Sequence, residues 1–173
     1  PRLKFLFMEQ IQRDLLKRTI PREWRNMLVP AIGEDAAYLL FMTEGEVRKY
    51  ADSGELLWTR LFDGPEQAAL WDEFFSGFAE TREMASIPLA LSDGQELGNS
   101  LWVLLGTADG SPTTLGVLDA RTGGERGFIS VDTSSRALRF AVDADRGLLY
   151  LTLPDEAALV VVGLDPVPSD WLR

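Results

Sequence analysis

Three segments of this chain read alike. Asp35-Ala36-Ala37-Tyr38-Leu39-Leu40-Phe41, Asn99-Ser100-Leu101-Trp102-Val103-Leu104-Leu105 and Gly147-Leu148-Leu149-Tyr150-Leu151-Thr152-Leu153 each set one aromatic residue at the same place in an apolar stretch. Each follows an extended segment (27–32, 86–91 and 138–142), and the first two of these share an apolar-Pro step, Val29-Pro30 and Ile87-Pro88. Tyr38 and Trp102 are 64 residues apart and Trp102 and Tyr150 are 48 apart; the excess of 16 is the length of segment 65–80, so with that segment taken as an insertion both intervals are 48. A unit repeated at roughly 40–50 residues cannot bury its faces alone and stacks on its neighbours.

Between these landmarks the signals are mostly those of strands. Segments 36–42, 46–51 and 56–62 are strand-like, with Thr43-Glu44-Gly45 and Asp52-Ser53-Gly54 as turns. In 46–51, Val47 and Lys49 fall on one face and Arg48 and Tyr50 on the other. Further strands are expected at 86–91, 101–106, 114–118, 127–131, 138–142, 148–153 and 158–164. Two segments carry a helical period instead. Met8, Ile11 and Leu15 predict a helix over 8–17, behind a short strand at 2–7. Asp63-Gly64-Pro65 is a helix start, and Leu70, Phe74 and Phe78 form one stripe of a helix over 65–80, with Trp71 and Phe75 on the adjacent one.

Four-stranded units at this period point to an all-β chain of β-propeller blades, about three of them, with two decorating helices near 8–18 and 65–80. Val47-Arg48-Lys49-Tyr50-Ala51-Asp52-Ser53-Gly54-Glu55-Leu56-Leu57-Trp58 and Phe140-Ala141-Val142-Asp143-Ala144-Asp145-Arg146-Gly147-Leu148-Leu149-Tyr150-Leu151 carry a resemblance. They are written as blades of six-bladed propellers of the NHL/YWTD-like bacterial kind are usually written. The resemblance covers 27–164 and implies fold rather than function. The expected division is an N-terminal strand and helix segment (1–26), blades at about 27–84, 85–136 and 137–164, and a tail at 165–173. An unrelated antiparallel sandwich or meander is the alternative fold. Closed rings take about four to eight blades, so the expectation is part of a ring, completed by further blades, a second copy or a larger assembly. The chain opens on Pro1, which suits a processed chain or part of a longer one.

Composition narrows the chemistry. The 173 residues hold 17 Lys+Arg against 27 Asp+Glu, a net charge of −10, with no His and no Cys. A Ser-His-Asp triad, a Cys nucleophile and a Cys/His zinc site are excluded. The acidity disfavours nucleic acid. No apolar run approaches the roughly 18 residues that span a bilayer. The Gly-rich stretches 106–110 and 123–124 lack the Lys-Ser/Thr ending and the following helix of a phosphate loop. Asp132, Asp143 and Asp145 offer hard oxygen ligands for Ca²⁺. Asp143-Ala144-Asp145-Arg146-Gly147 is equally a hairpin turn, and Glu34-Asp35 and Asp93 are expected in equivalent connections.

What remains are surfaces for binding. Trp71, Phe74, Phe75 and Phe78 give helix 65–80 an aromatic arc that either caps the sheets or anchors a partner, with Trp71 the leading contact residue. Arg18, Arg22 and Arg25 belong to the one basic region of the chain, suited to an acidic partner or lipid headgroups. Trp58 and Trp102 are expected between blades, and Trp171 as a tail anchor or a contact. The reading is a non-catalytic propeller module, a scaffold or accessory subunit that binds protein partners or a second copy, without cofactor, metal or transmembrane segment. The alternatives are a Ca²⁺-dependent propeller hydrolase or lactonase and a small-ligand sensory propeller. The resemblance implies a periplasmic or secreted setting.

Overall fold

The computed structural model describes residues 26–81, 88–108, 111–164, 168 and 171. The strand at 2–7, the helix near 8–18 and Arg18, Arg22 and Arg25 lie outside the described residues. Three antiparallel sheets follow one another along the chain. The first is a meander of β1 (Asn26–Pro30), β2 (Ala36–Phe41), β3 (Glu46–Ala51) and β4 (Leu56–Leu61). Helix α1 (Pro65–Thr81) follows. The second sheet is β5 (Leu91–Leu97), β6 (Ser100–Leu105), β7 (Thr113–Asp119) and β8 (Glu125–Val131). The third is β9 (Arg139–Asp143), β10 (Leu148–Leu153) and, beyond a 3-10 turn at Pro154–Glu156, β11 (Ala158–Gly163). The described chain is therefore mostly β, as the strand signals predict.

The repeat is structural. Tyr38, Trp102 and Tyr150 are each the third residue of the second strand of their sheet. They stand opposite Val29, Gln95 and Ala141 on the first strands, and opposite Lys49, Val117 and Val161 on the third.

One strand is not where the sequence places it. Of the extended segment expected at 86–91, residues 86 and 87 lie outside the described residues, 88–90 are not in a strand, and β5 begins at Leu91 and runs through Ser92-Asp93-Gly94-Gln95-Glu96. Two local features set this register. Gly98 (φ 54°) and Asn99 close a two-residue hairpin between Leu97 and Ser100, and the pairing shifts between Leu91 and Asp93. Asp93 thus lies in a strand and not in a connection. Asp143 does serve its turn, its Oδ1 accepting from the Arg146 N–H at 3.0 Å.

The sheets stack, and burial follows the stacking. β6 is buried at every residue and β7 at all but its last, because the second sheet is covered on both faces. On one side Leu101, Val103, Leu105 and Leu118 pack with Val29, Tyr38, Leu40, Val47 and Trp58 of the first sheet. On the other, Trp102, Leu104, Leu115 and Val117 pack with Phe140, Val142, Leu149 and Leu151 of the third. Burial of one such side chain stabilises by about 1.5–3 kcal/mol. The first and third sheets alternate between buried and more exposed residues, as one-sided sheets do.

The first strands of the three sheets are neighbours, β1 beside β5 and β5 beside β9. The polar residues of β5 make these joints. Asp93 Oδ2 accepts from the Phe140 N–H at 3.0 Å and Gln95 Oε1 from the Val142 N–H at 3.2 Å. On the other side Glu96 Oε2 accepts from the Ile32 N–H at 3.0 Å. The edge of β9 that no described strand pairs is met by side chains of β5, which explains how a polar segment can lie inside the stack.

Candidate functional site

Three surfaces bear on function: the joint between the first two sheets, the aromatic face of α1 and the outer faces of the end sheets.

The joint is built around one carbonyl. Ala120 follows β7 in a turn tied down by Asp119, whose Oδ1 accepts from the Arg121 and Thr122 N–H groups at 3.1 and 2.8 Å. The Ala120 oxygen accepts from Lys49 Nζ at 3.0 Å, Trp58 Nε1 at 3.2 Å and the Tyr38 hydroxyl at 3.4 Å. Trp58 also lies flat against Gly123, where a Cβ would sit 2.7 Å from the indole and where φ is +70°. Glycine is needed there on both counts. Lys49 is 1% exposed, and its second partner is Glu34 Oε2 at 2.5 Å. Burial, with the Glu96 carboxylate beside it, pushes the Tyr38 phenol well above its ordinary range. The Arg126 guanidinium, 2.8 Å from Asp119, holds that carboxyl down to about 2. The polar groups here are committed to one another, so the joint is structural.

Helix α1 buries Gln67, Leu70 and Trp71, a spacing of three and four residues that forms one face. Leu70 approaches Gly106 at the end of β6, so this face lies over the end of the second sheet. Trp71 is 8% exposed; it stacks on Phe75 at 5.7 Å and meets Phe74 edge-on at 6.0 Å. What the helix presents is therefore the half-buried pair Phe74 and Phe75, with Trp71 as their support. Phe78 belongs to the helix, and its side chain lies outside the described residues.

The outer faces were not singled out by the sequence reading. Leu28 is 69% exposed on the first sheet, with Leu57 and Leu61 on the same face of β4. On the third, Leu159 is 61% and Val161 51% exposed, beside the half-buried Tyr150. The signal was present: β11 reads ALVVVG, apolar throughout, yet only alternate residues are covered.

Trp58 and Trp102 lie between sheets, as expected. Trp171 anchors the tail. Its carbonyl accepts from Trp102 Nε1 at 3.2 Å, and its ring lies on Gly127, where a Cβ would fall 2.6 Å from Cη2. Among the described residues no three acidic side chains gather as a metal site, and no helix is long and apolar enough to cross a membrane. No family model matches the chain, and no curated protein matches it significantly.

Proposed function

We propose that the chain is three blades of a β-propeller-like ring and works as a non-catalytic protein-interaction module. The observation that carries this is the mismatch between composition and cover in the end sheets. β2 (AAYLLF), β10 (LLYLTL) and β11 (ALVVVG) are as apolar as β6 (SLWVLL), which is buried at every residue, but β2 and β10 leave alternate residues half-buried or exposed, and β11 leaves Leu159 and Val161 open to solvent. Strands with continuous apolar sequence belong to sheets buried on both sides. Apolar patches of this kind on a folded surface mark interaction sites. The neighbouring first strands and the 48-residue period support the ring. The polar groups of the first joint are already satisfied within the chain, which favours binding over catalysis.

In this reading the partners are further sheets of the same kind, from a second copy or from a larger assembly, and Phe74 and Phe75 are an accessory contact. Light scattering on a sizing column tests it. The expected result is a dimer or larger species that dissociates when Leu159 and Val161 are both replaced by Lys, with the circular dichroism spectrum retained. A folded monomer whose mass does not depend on concentration, and is the same in the double variant, would overturn self-association. Absence of any protein bound to the Leu159 face in crosslinking from its native setting would overturn the interaction module.

A further inference from the structure

The second strands of the three sheets, Ala36–Phe41, Ser100–Leu105 and Leu148–Leu153, align residue for residue. Their second, fourth and sixth residues face the preceding sheet. Leu101, Val103 and Leu105 have such a sheet, as do Leu149, Leu151 and Leu153, and all six are buried. Ala37, Leu39 and Phe41 have none among the described residues and are half-buried, yet they are apolar at all three positions. The third residue, the repeated aromatic, faces the following sheet. Tyr38 and Trp102 are 0% exposed, whereas Tyr150, with no described sheet after it, is half-buried.

The hydrogen bonds follow the same rule. The residue after the third strand is fixed alike in every sheet: Asp52, Ala120 and Leu164 donate their N–H groups to the carbonyls of Asp35, Asn99 and Gly147 at 2.8, 2.9 and 2.7 Å. In the first joint the Tyr38 hydroxyl donates to the Ala120 carbonyl. Tyr150 carries the same hydroxyl, and no acceptor meets it among the described residues. Asp52 carries the corresponding carbonyl, and no donor meets it among the described residues.

The outer faces of the third and first sheets are thus the two halves of one joint. They lie on opposite sides of the second sheet and do not meet within the chain. Arg48 and Glu46, the charged pair on the face of the first sheet, are bonded to each other at 2.8 and 3.0 Å, with the guanidinium over the Phe41 ring. Covering this face therefore leaves neither charge without its partner.

We propose that the outer face of the third sheet docks on the outer face of the first sheet in a second copy of this chain, repeating the internal joint, with the Tyr150 hydroxyl donating to the Asp52 carbonyl of that copy. One chain carries both halves, so a second copy supplies to each end what that end lacks. This pairing rests on the interaction reading above and names its partner.

Two double variants and their mixture test it, with molar mass read by light scattering over a concentration series. Leu159→Lys with Val161→Lys blocks the face of the third sheet, and Leu28→Lys with Leu39→Lys blocks that of the first. Each variant alone is expected to be monomeric. An equimolar mixture is expected to give a species of twice the chain mass, because each variant keeps the face that the other has lost. Tyr150→Phe removes only the hydroxyl and is expected to weaken self-association about tenfold. It keeps the test decisive if a Lys variant fails to fold. Self-association of either double variant alone would mean that like faces pair, which overturns this pairing while the outer faces remain interaction surfaces. Folded variants that give no mixed species, or an unchanged affinity in Tyr150→Phe, would overturn it as well. A parent chain that stays monomeric also overturns it, and the interaction module is then decided by crosslinking at the Leu159 face.

Discussion

Trp102 and Trp171 are joined by a 3.2 Å hydrogen bond from the indole N–H of the first to the main-chain carbonyl of the second, across 69 residues of sequence. Tyr38, which holds the same repeat position one sheet earlier, reaches the Ala120 carbonyl at 3.4 Å. In both cases the polar tip of the repeated aromatic crosses to main chain beyond the third strand of the next sheet. Trp171→Ala is expected to destabilise the chain by about 2–3 kcal/mol, below the range for fully buried Trp because Trp171 is only partly buried. A shift in the urea midpoint at unchanged m-value measures it.

The Asp93–Phe140 and Gln95–Val142 bonds couple the second and third sheets through single side chains. Asp93→Ala or Gln95→Ala leaves an N–H of β9 without its acceptor, at an expected cost of about 1–3 kcal/mol. Hydrogen exchange should localise the effect. The amide of Phe140 should exchange faster in the first variant and that of Val142 in the second, while the core of the first joint keeps its protection. Equal acceleration everywhere would mean that these bonds do not hold the joint.

Lys49 permits a sharper distinction. Its stem is buried between sheets, and its ammonium binds Glu34 and the Ala120 carbonyl. Replacement of a buried ion pair by an apolar residue of similar volume is often close to neutral, whereas removal of the volume is not. Lys49→Met is therefore expected within about 1 kcal/mol of the parent, since Glu34 is half exposed and can turn to water. Lys49→Ala is expected to cost about 2–4 kcal/mol through the cavity it leaves. Denaturant titration of the two variants separates packing from charge.

Acid sensitivity should be traceable to Asp119. Its carboxyl is held at about 2 against an ordinary value of 3.8, first by Arg126 and then by the Thr122 N–H and hydroxyl. The unfolded chain takes up this proton first as pH falls. The contribution of Asp119 is thus intact above pH 3.8 and is lost progressively toward pH 2. Asp119→Asn should lower stability at neutral pH and flatten the acid limb in this window. Thermal melts between neutral pH and pH 2 measure both.

The repeat was legible because its marker is chemical as well as periodic: an aromatic that fills a sheet interface and carries a hydrogen-bond donor stands out in an apolar strand. Helix α1 was legible from Pro65 at its start and the spacing of Leu70, Phe74 and Phe78. β5 was not, because Ser92-Asp93-Gly94-Gln95-Glu96 has the composition of a loop. Its role depends on N–H groups 47 residues further on, which no local pattern reveals. Whether the aromatic arc of α1 caps the sheets or faces a partner stayed open for a related reason. A helical stripe shows which residues share a face, and the end of β6 that covers this one lies outside the helix's own sequence.

The phase of the repeated aromatic gives the stack a direction. Tyr38 faces forward into the second sheet, Trp102 forward toward the third, and Tyr150 forward onto the face that carries Leu159 and Val161. Front and back are thus different surfaces, like the stud and socket of a chain link. Two copies that meet through them do so head to tail. If the turn per chain is half a revolution, two such contacts close on themselves and growth stops. At a turn that never completes a circle, the same contact continues into a fibre.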